Sequence, residues 1–218
     1  MVPNDVHAYA LSFCSTLTPM HSYPHNPTFE LTQLVHNWGL WRDTRNWSQL
    51  RTCYAPHAQV KTTWMVGSAD AFIDASIQSS LNPHAATSWH SMGACAVQFS
   101  GDKALAETRV TLMLRARIHD VDVDVTAWCR FLDWCVHLEQ RWQIAQRHPI
   151  HERDRMDPVM PGTPLPLDTQ LLDSLPTAYR HLTYVQSLKG AHITLDLVQH
   201  NSPEQSALYE QAQQWLGS

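Results

Sequence analysis

Residues 87–150 read TSWHSMGACAVQFSGDKALAETRVTLMLRARIHDVDVDVTAWCRFLDWCVHLEQRWQIAQRHPI, and this stretch decides the fold. From Thr87 to Phe99, Lys103 to Ile118, Val121 to Leu138 and Arg141 to Ile150 the side chains alternate with a period of two. That is the repeat of a strand whose two faces meet different surroundings. In the second segment Ala104, Ala106, Thr108, Val110, Leu112 and Leu114 share one face, and Glu107, Arg109, Thr111, Met113 and Arg115 share the other. Ser100-Gly101-Asp102, His119-Asp120 and Glu139-Gln140 separate the segments, each short enough for a hairpin. The reading is a long antiparallel meander.

The texture upstream is helical. From Thr28, Leu31, Leu34, Val35, Trp38 and Trp41 recur at three- and four-residue steps, giving one apolar stripe. Asp43-Thr44-Arg45-Asn46 breaks it, and Trp47 to Tyr54 reads as a second, short helix ending before Pro56. Residues 58–64 are β-prone, and Ala69–Ser80 makes a further helix before Asn82-Pro83. Helices followed by a meander predict an α+β fold, with the N-terminal helices on the concave face of a curved antiparallel sheet. Before this domain, residues 1–27 carry four prolines without a sustained period and read as an irregular N-terminal arm.

Beyond the domain, placed at 28–157, comes a Pro-rich linker at 158–166; Asp157–Pro166 holds four prolines and a glycine. A helical C-terminal extension, 167–218, follows. Leu171, Leu172, Leu175, Tyr179, Leu182, Val185 and Leu188 keep a helical period up to Gly190. Ser202-Pro203-Glu204-Gln205 then opens a last helix with a capping residue and proline at its first position. Too small and too apolar on one face to stand alone, this extension should dock on the body or on a neighbouring subunit.

The chain has 218 residues, is 44% hydrophobic and 16% charged, and carries a formal charge of −5. It can bury a core, and it lacks the basic excess that a nucleic-acid or anionic-membrane partner demands. No apolar run reaches the roughly 18–20 residues of a membrane span. The N-terminus has no basic region followed by an apolar stretch, so a cytoplasmic location is expected. The five cysteines include no C-x-x-C pair and read as free thiols, and the 14 histidines form no H-E-x-x-H or other tight ligand spacing. No metal and no cofactor is expected.

The order of these elements resembles a known family. A helix, D-x-x-x-W at 43–47, a β-prone segment, G-x-x-x-x-F-I at 67–73, a strand with a central His90, GDKALAET at 101–108, RWQIAQR at 141–147 and HERD at 151–154 follow one another. In this the chain is similar to the SnoaL-like branch of the nuclear transport factor 2-like superfamily, whose cone-shaped α+β fold serves polyketide cyclases, scytalone dehydratase and bile-acid 7α-dehydratase. The resemblance implies Asp43 and His90 as the working pair. Elimination of water β to a carbonyl starts with removal of a weakly acidic C–H proton, a task for an imidazole near neutrality. A carboxylate on its far nitrogen fixes the tautomer and stabilises the imidazolium. Read without the resemblance, Asp43 caps the helix at 44–54 and His90 is a pocket or core histidine.

Two family positions differ. Trp38 stands where bile-acid 7α-dehydratase has a tyrosine, and Thr111-Leu112-Met113-Leu114 stands where scytalone dehydratase has a second pocket histidine, so any second electrophile must come from elsewhere. Cys129, Phe131 and Asp133 share a strand face, with Cys129 a small lining residue. Arg147 either reaches a substrate carboxylate or carbonyl or pairs with Glu152 or Asp154. Trp38, Tyr54, Cys129, Phe131 and Arg147 form the expected substrate-binding set. Met65, Met92 and Met113 with Trp38, Trp41 and Trp64 suggest an apolar cavity. The expected function is a cofactor-free lyase or proton-transfer isomerase, acting on a hydrophobic, cyclic hydroxy-carbonyl molecule, in a homodimer or homotrimer. The rival is a non-catalytic subunit like the small subunit of ring-hydroxylating dioxygenases, in which the cone would be filled and Asp43 and His90 would stand apart. Metal chemistry through the histidines is a third option.

Overall fold

The computed structural model describes residues 26–82 and 85–218. Of the arm expected at 1–27 only Asn26 and Pro27 fall within it, and the rest of that expectation lies outside the described residues. Four long strands form the meander: β3 (Thr87–Ser100), β4 (Lys103–Ile118), β5 (Val121–Leu138) and β6 (Arg141–Pro158), after the shorter β1 (Tyr54–Lys61) and β2 (Val66–Ser68). Their hairpins close at Ser100↔Lys103, Ile118↔Val121 and Leu138↔Arg141. His119, Asp120, Glu139 and Gln140 all have φ between 45° and 63°, the left-handed pair whose twist matches a two-residue hairpin. Register shifts at Met92/Cys95, Trp128/Cys129 and Trp134/Cys135 interrupt the alternation, and each such bulge bends its strand. The sheet is curved and does not close.

Three expectations need correction. The last long strand runs on to Pro158, so the charged HERD segment is strand as well. Tyr54 begins β1 rather than ending a helix, because α2 stops at Thr52 (Trp47–Thr52). The sheet is mixed: β1 pairs parallel with β6, in the order β2-β1-β6-β5-β4-β3, with β7 (Val198–Gln199) added beside β6. Period-two patterning reports burial of a face and carries no information on the direction of the neighbouring strand.

Two helices fill the inner face. Helix α1 (Pro27–Asp43) is capped by Asn26, which accepts from the Phe29 amide, and buries Leu31, Leu34, Val35 and Trp38. Helix α3 (Ala69–Ser80), capped by Ser68, adds Phe72 and Ile73. They pack on Val60, Ala104, Ala106 and Ile144. Close approach of α1 to β3 depends on Gly39, where a Cβ would stand 2.8 Å from the Met92 Cγ. One helical turn later comes Asp43.

The C-terminal extension covers both faces. Helix α4 (Thr169–Ser174) leads into α5 (Arg180–Leu188), which lays Leu182, Tyr184 and Val185 against Ala116, Ile118, Val123 and Val125. Helix α6 (Pro203–Gly217) crosses to the outer face, where Leu208, Ala212 and Leu216 bury Leu105, Leu132, Trp134 and Ile150. Lys103 fastens its end through Nζ bonds to the Trp215 and Ser218 carbonyls. No helix among the described residues is long and apolar enough to cross a membrane.

Gly39→Val should lower stability by about 1–3 kcal/mol, since the added carbons push α1 away from Met92. Met92→Ala in the same chain should restore part of the loss in urea denaturation, because it clears the space that the valine needs.

Candidate functional site

The site begins where α1 ends. Asp43 is the last residue of that helix, and both carboxylate oxygens are directed at one residue of β3. Its Oδ2 accepts from the His90 backbone N–H at 2.6 Å, and its Oδ1 meets the His90 Nδ1 at 2.7 Å. Nine-tenths of the imidazole and more than four-fifths of the carboxylate are buried. With Nδ1 donating to the carboxylate, Nε2 carries the lone pair, and it has no protein partner among the described residues. Burial pushes the His90 imidazole below its ordinary value of 6.5, against the opposing pull of Asp43. It is therefore a neutral base at neutral pH. The helix-capping role expected for Asp43 falls to Asn46, whose side chain accepts from the Gln49 amide.

Behind His90 stands an aromatic and cationic stack. The Trp38 ring meets His90 edge-on at 5.3 Å between centroids and Phe131 at 5.6 Å. Arg147 lies over both rings, with Cζ 3.9 Å from the Trp38 centroid and 4.4 Å from that of Phe131. Its Nε and Nη2 form a bidentate pair with Asp133, both at 2.7 Å, and both residues are buried. The partner expected for Arg147, Glu152 or Asp154, is corrected here: Glu152 binds Arg130, and Asp154 binds His181 and the Leu182 amide. Cross-strand neighbours at Asp133↔Arg147 prevail over residues nearby in sequence. Nη1 of Arg147 is left buried without a partner among the described residues.

These residues border a cavity of about 400 Å3 between the sheet, α1, α3 and α5. Trp38, His90, Cys129, Phe131 and Arg147 line it, and Asp43 holds His90 from behind. Tyr54 is not among the lining residues; its hydroxyl accepts from the Trp38 Nε1 at 2.7 Å, so it sets the indole from the layer behind. Trp38 consequently offers the cavity a ring face and no donor. Burial pushes the Cys129 thiol up to about 12, which keeps it a protonated wall residue. Of the Met and Trp residues singled out, Trp64 lines the cavity with Trp38, while Trp41, Met65 and Met92 pack into the inner core and Met113 is exposed.

Among the lining residues that the sequence reading missed are His151 and Gln186. Arg147, Pro149 and His151 sit at alternate positions of β6 and all face the cavity. The alternation rule would have reached His151 had the strand been carried past Ile150. His151 is 5% exposed, both ring nitrogens lack a partner among the described residues, and burial pushes its imidazole down to about 4. Gln186 comes from α5, and nothing in its local sequence marks it. Among the described residues no three His, Cys, Asp or Glu side chains gather to hold a metal ion.

Comparison with known proteins finds a match to the family model for the SnoaL-like domain over residues 29–148. A PEP2-like protein of Fusarium vanettenii is 28% identical over 198 residues, spanning 86% of this chain and 84% of its own. Pea pathogenicity protein 2 of the same fungus is 26% identical over 196 residues, with the same shares. Among solved structures, LinA superposes with a TM-score of 0.49 at 14% identity, over 64% of this chain and 94% of LinA. A putative scytalone dehydratase of Novosphingobium aromaticivorans gives 0.48 at 12%, over 65% and 93%.

Asp133→Ala should cost about 3–5 kcal/mol in chemical denaturation, because it leaves a buried guanidinium uncompensated. Combining Asp133→Leu with Arg147→Met, which removes both charges at once, should recover most of that loss. His151 gives the fold an acid sensitivity. Its folded value lies below the unfolded one, so its contribution is complete above pH 6.5 and falls away toward pH 4, by about 3 kcal/mol at most. His151→Phe should flatten the dependence of melting temperature on pH across that window.

Proposed function

The chain belongs to the SnoaL-like domain family, and on that premise we propose that it is a lyase or proton-transfer isomerase acting on a hydrophobic, cyclic hydroxy-carbonyl compound. One observation carries the reading: a neutral, buried histidine on the wall of a cavity, with one carboxylate holding both its Nδ1 and its backbone N–H. Nε2 of His90 takes the proton α to the carbonyl, and the C–H electron pair moves to the carbonyl oxygen as an enolate. Asp43 stabilises the imidazolium formed. Nη1 of Arg147, a buried donor with no protein partner among the described residues, is suited to the developing oxyanion. When the enolate collapses, the β-hydroxyl leaves with the proton from His90 as water. In an isomerase the same proton returns to carbon. The substrate carbonyl is the electron sink, so the scheme calls for no cofactor.

The apolar walls, with Trp38, Trp64, Phe72, Leu112, Leu114 and Phe131, suit a ring rather than a charged chain. The rival role, a structural subunit, required a packed cone and a separated pair. A 2.7 Å contact beside a cavity of about 400 Å3 favours catalysis over it.

The test is turnover of a panel of cyclic β-hydroxy ketones, followed by enone absorbance, together with deuterium uptake at the α-carbon by NMR. His90→Ala should reduce both rates by on the order of 10²–10⁴. Wild-type protein that promotes neither reaction, or activity untouched by the substitution, would sink the proposal. The acid limb of kcat/KM should lie below pH 6.5, with rate lost as pH falls through the lowered His90 value. Asp43→Asn removes the contribution that raises it, so that limb should move to still lower pH while the plateau drops.

A further inference from the structure

His151 and Gln186 have no part in the proton transfer, yet both are lining residues of the cavity whose buried polar atoms find no partner among the described residues. His151 Nδ1 and Nε2 and Gln186 Oε1 are buried and have no hydrogen-bond partner among the described residues. Buried polar groups in folded proteins are nearly always paired, and orphaned groups on the lining of a cavity call for an outside partner. The His151 ring cannot swing away to find one, since it packs on the Tyr179 ring at 4.5 Å and Tyr179 is itself fully buried.

Strand register places His151 away from the base. His90 of β3 faces Leu112 of β4, Leu112 faces Ala127 of β5, and two residues further along β5 Cys129 faces His151 of β6. Three strand spacings and a two-residue step along the strand separate the two histidines, about 16 Å along the curved sheet. The carbonyl end of a bound ring lies with His90 and Arg147, and its far end reaches the His151 side. No carboxylate among the described residues pairs with His151, and a neutral imidazole offers one donor and one acceptor. Gln186 Oε1 adds a second acceptor. A charged group finds no counter-charge in either side chain. An ether or ketone cannot donate to the acceptors, whereas a neutral hydroxyl can both give and take a bond.

We propose that His151 and Gln186 form a second anchor that binds a ring hydroxyl at the end of the ligand remote from the His90–Asp43 pair. The inference rests on the reading of the cavity as a substrate site and narrows the substrate class to compounds with a phenolic or alcoholic hydroxyl distant from the reacting carbonyl. It also gives the C-terminal extension a task, because Gln186 on α5 is half of the anchor.

Two bicyclic probes of nearly equal shape test it: 2-naphthol and 2-methylnaphthalene. Binding is followed by calorimetry and by the fluorescence of Trp38 and Trp64, which line the cavity. Wild-type protein should bind the naphthol at least tenfold more tightly. His151→Phe should cut that preference to threefold or less, and Gln186→Leu should reduce it in part. The phenylalanine replaces an unsatisfied polar ring by an apolar one of similar size, so folding should survive; should it not, Gln186→Leu carries the same test. Equal binding of the two probes, no binding of either, or a preference untouched by the substitutions overturns the anchor. A resident water that stays in place would give equal binding. A protein that shows the preference but turns over no hydroxy ketone keeps the anchor and loses the catalytic reading, and turnover without the preference does the reverse.

Discussion

The arrangement of the cavity depends on one buried ion pair. Arg147 and Asp133 face each other across β6 and β5 and share two hydrogen bonds of 2.7 Å out of reach of water. An arginine is stable there only because the carboxylate neutralises it and the aromatic faces of Trp38 and Phe131 accept its flat cation. Trp38 belongs to α1, so the same cation that joins two strands also seats the helix. Through Tyr54 the indole N–H is satisfied on the far side. The helix that Trp38 positions ends at Asp43, whose carboxylate grips His90 by ring and backbone together. The Asp43–His90 pair is thus located by the same buried cation.

Burial sets the electrostatics of the site, and it acts in opposite directions on acids and bases. It pushes the thiol of Cys129 and the phenol of Tyr54 up to about 12, and it pushes the imidazoles of His90 and His151 down. All four are therefore neutral near pH 7, in and behind the lining of a cavity that holds one fully buried cation tied to its own carboxylate. The two histidines differ in company. Asp43 opposes the effect of burial at His90, while His151 has only the desolvation. One environment makes a base with an oriented proton acceptor, and the other makes a group that can only share hydrogen bonds.

Some of this was legible in residue order and some was not. The ends of β4, β5 and α3 were readable to the residue, because alternation, two-residue turns and the break at Asn82-Pro83 are local signals. Asp43 and His90 came from motif order, 47 residues apart, and neither type nor spacing alone would have joined them. Arg147 was expected to find its partner in Glu152 or Asp154, a few residues on, and it found Asp133 on the neighbouring strand instead. Within a strand, side chains on one face are roughly 6–7 Å apart, while cross-strand neighbours stand about 5 Å apart.

By itself the sequence determined the helices-then-meander order, the two faces of each long strand, the hairpin positions and the apolar surface of the extension, since period, turn chemistry and capping act over a few residues. Only the tertiary structure decided that β1 runs parallel to β6, that α5 walls this chain's own cavity and that α6 crosses to the outer face. It alone brought His151 and Gln186 to the lining of the same cavity. Those outcomes follow from which distant surfaces bury each other, and that is settled by the closing of the whole core rather than by any stretch of residues.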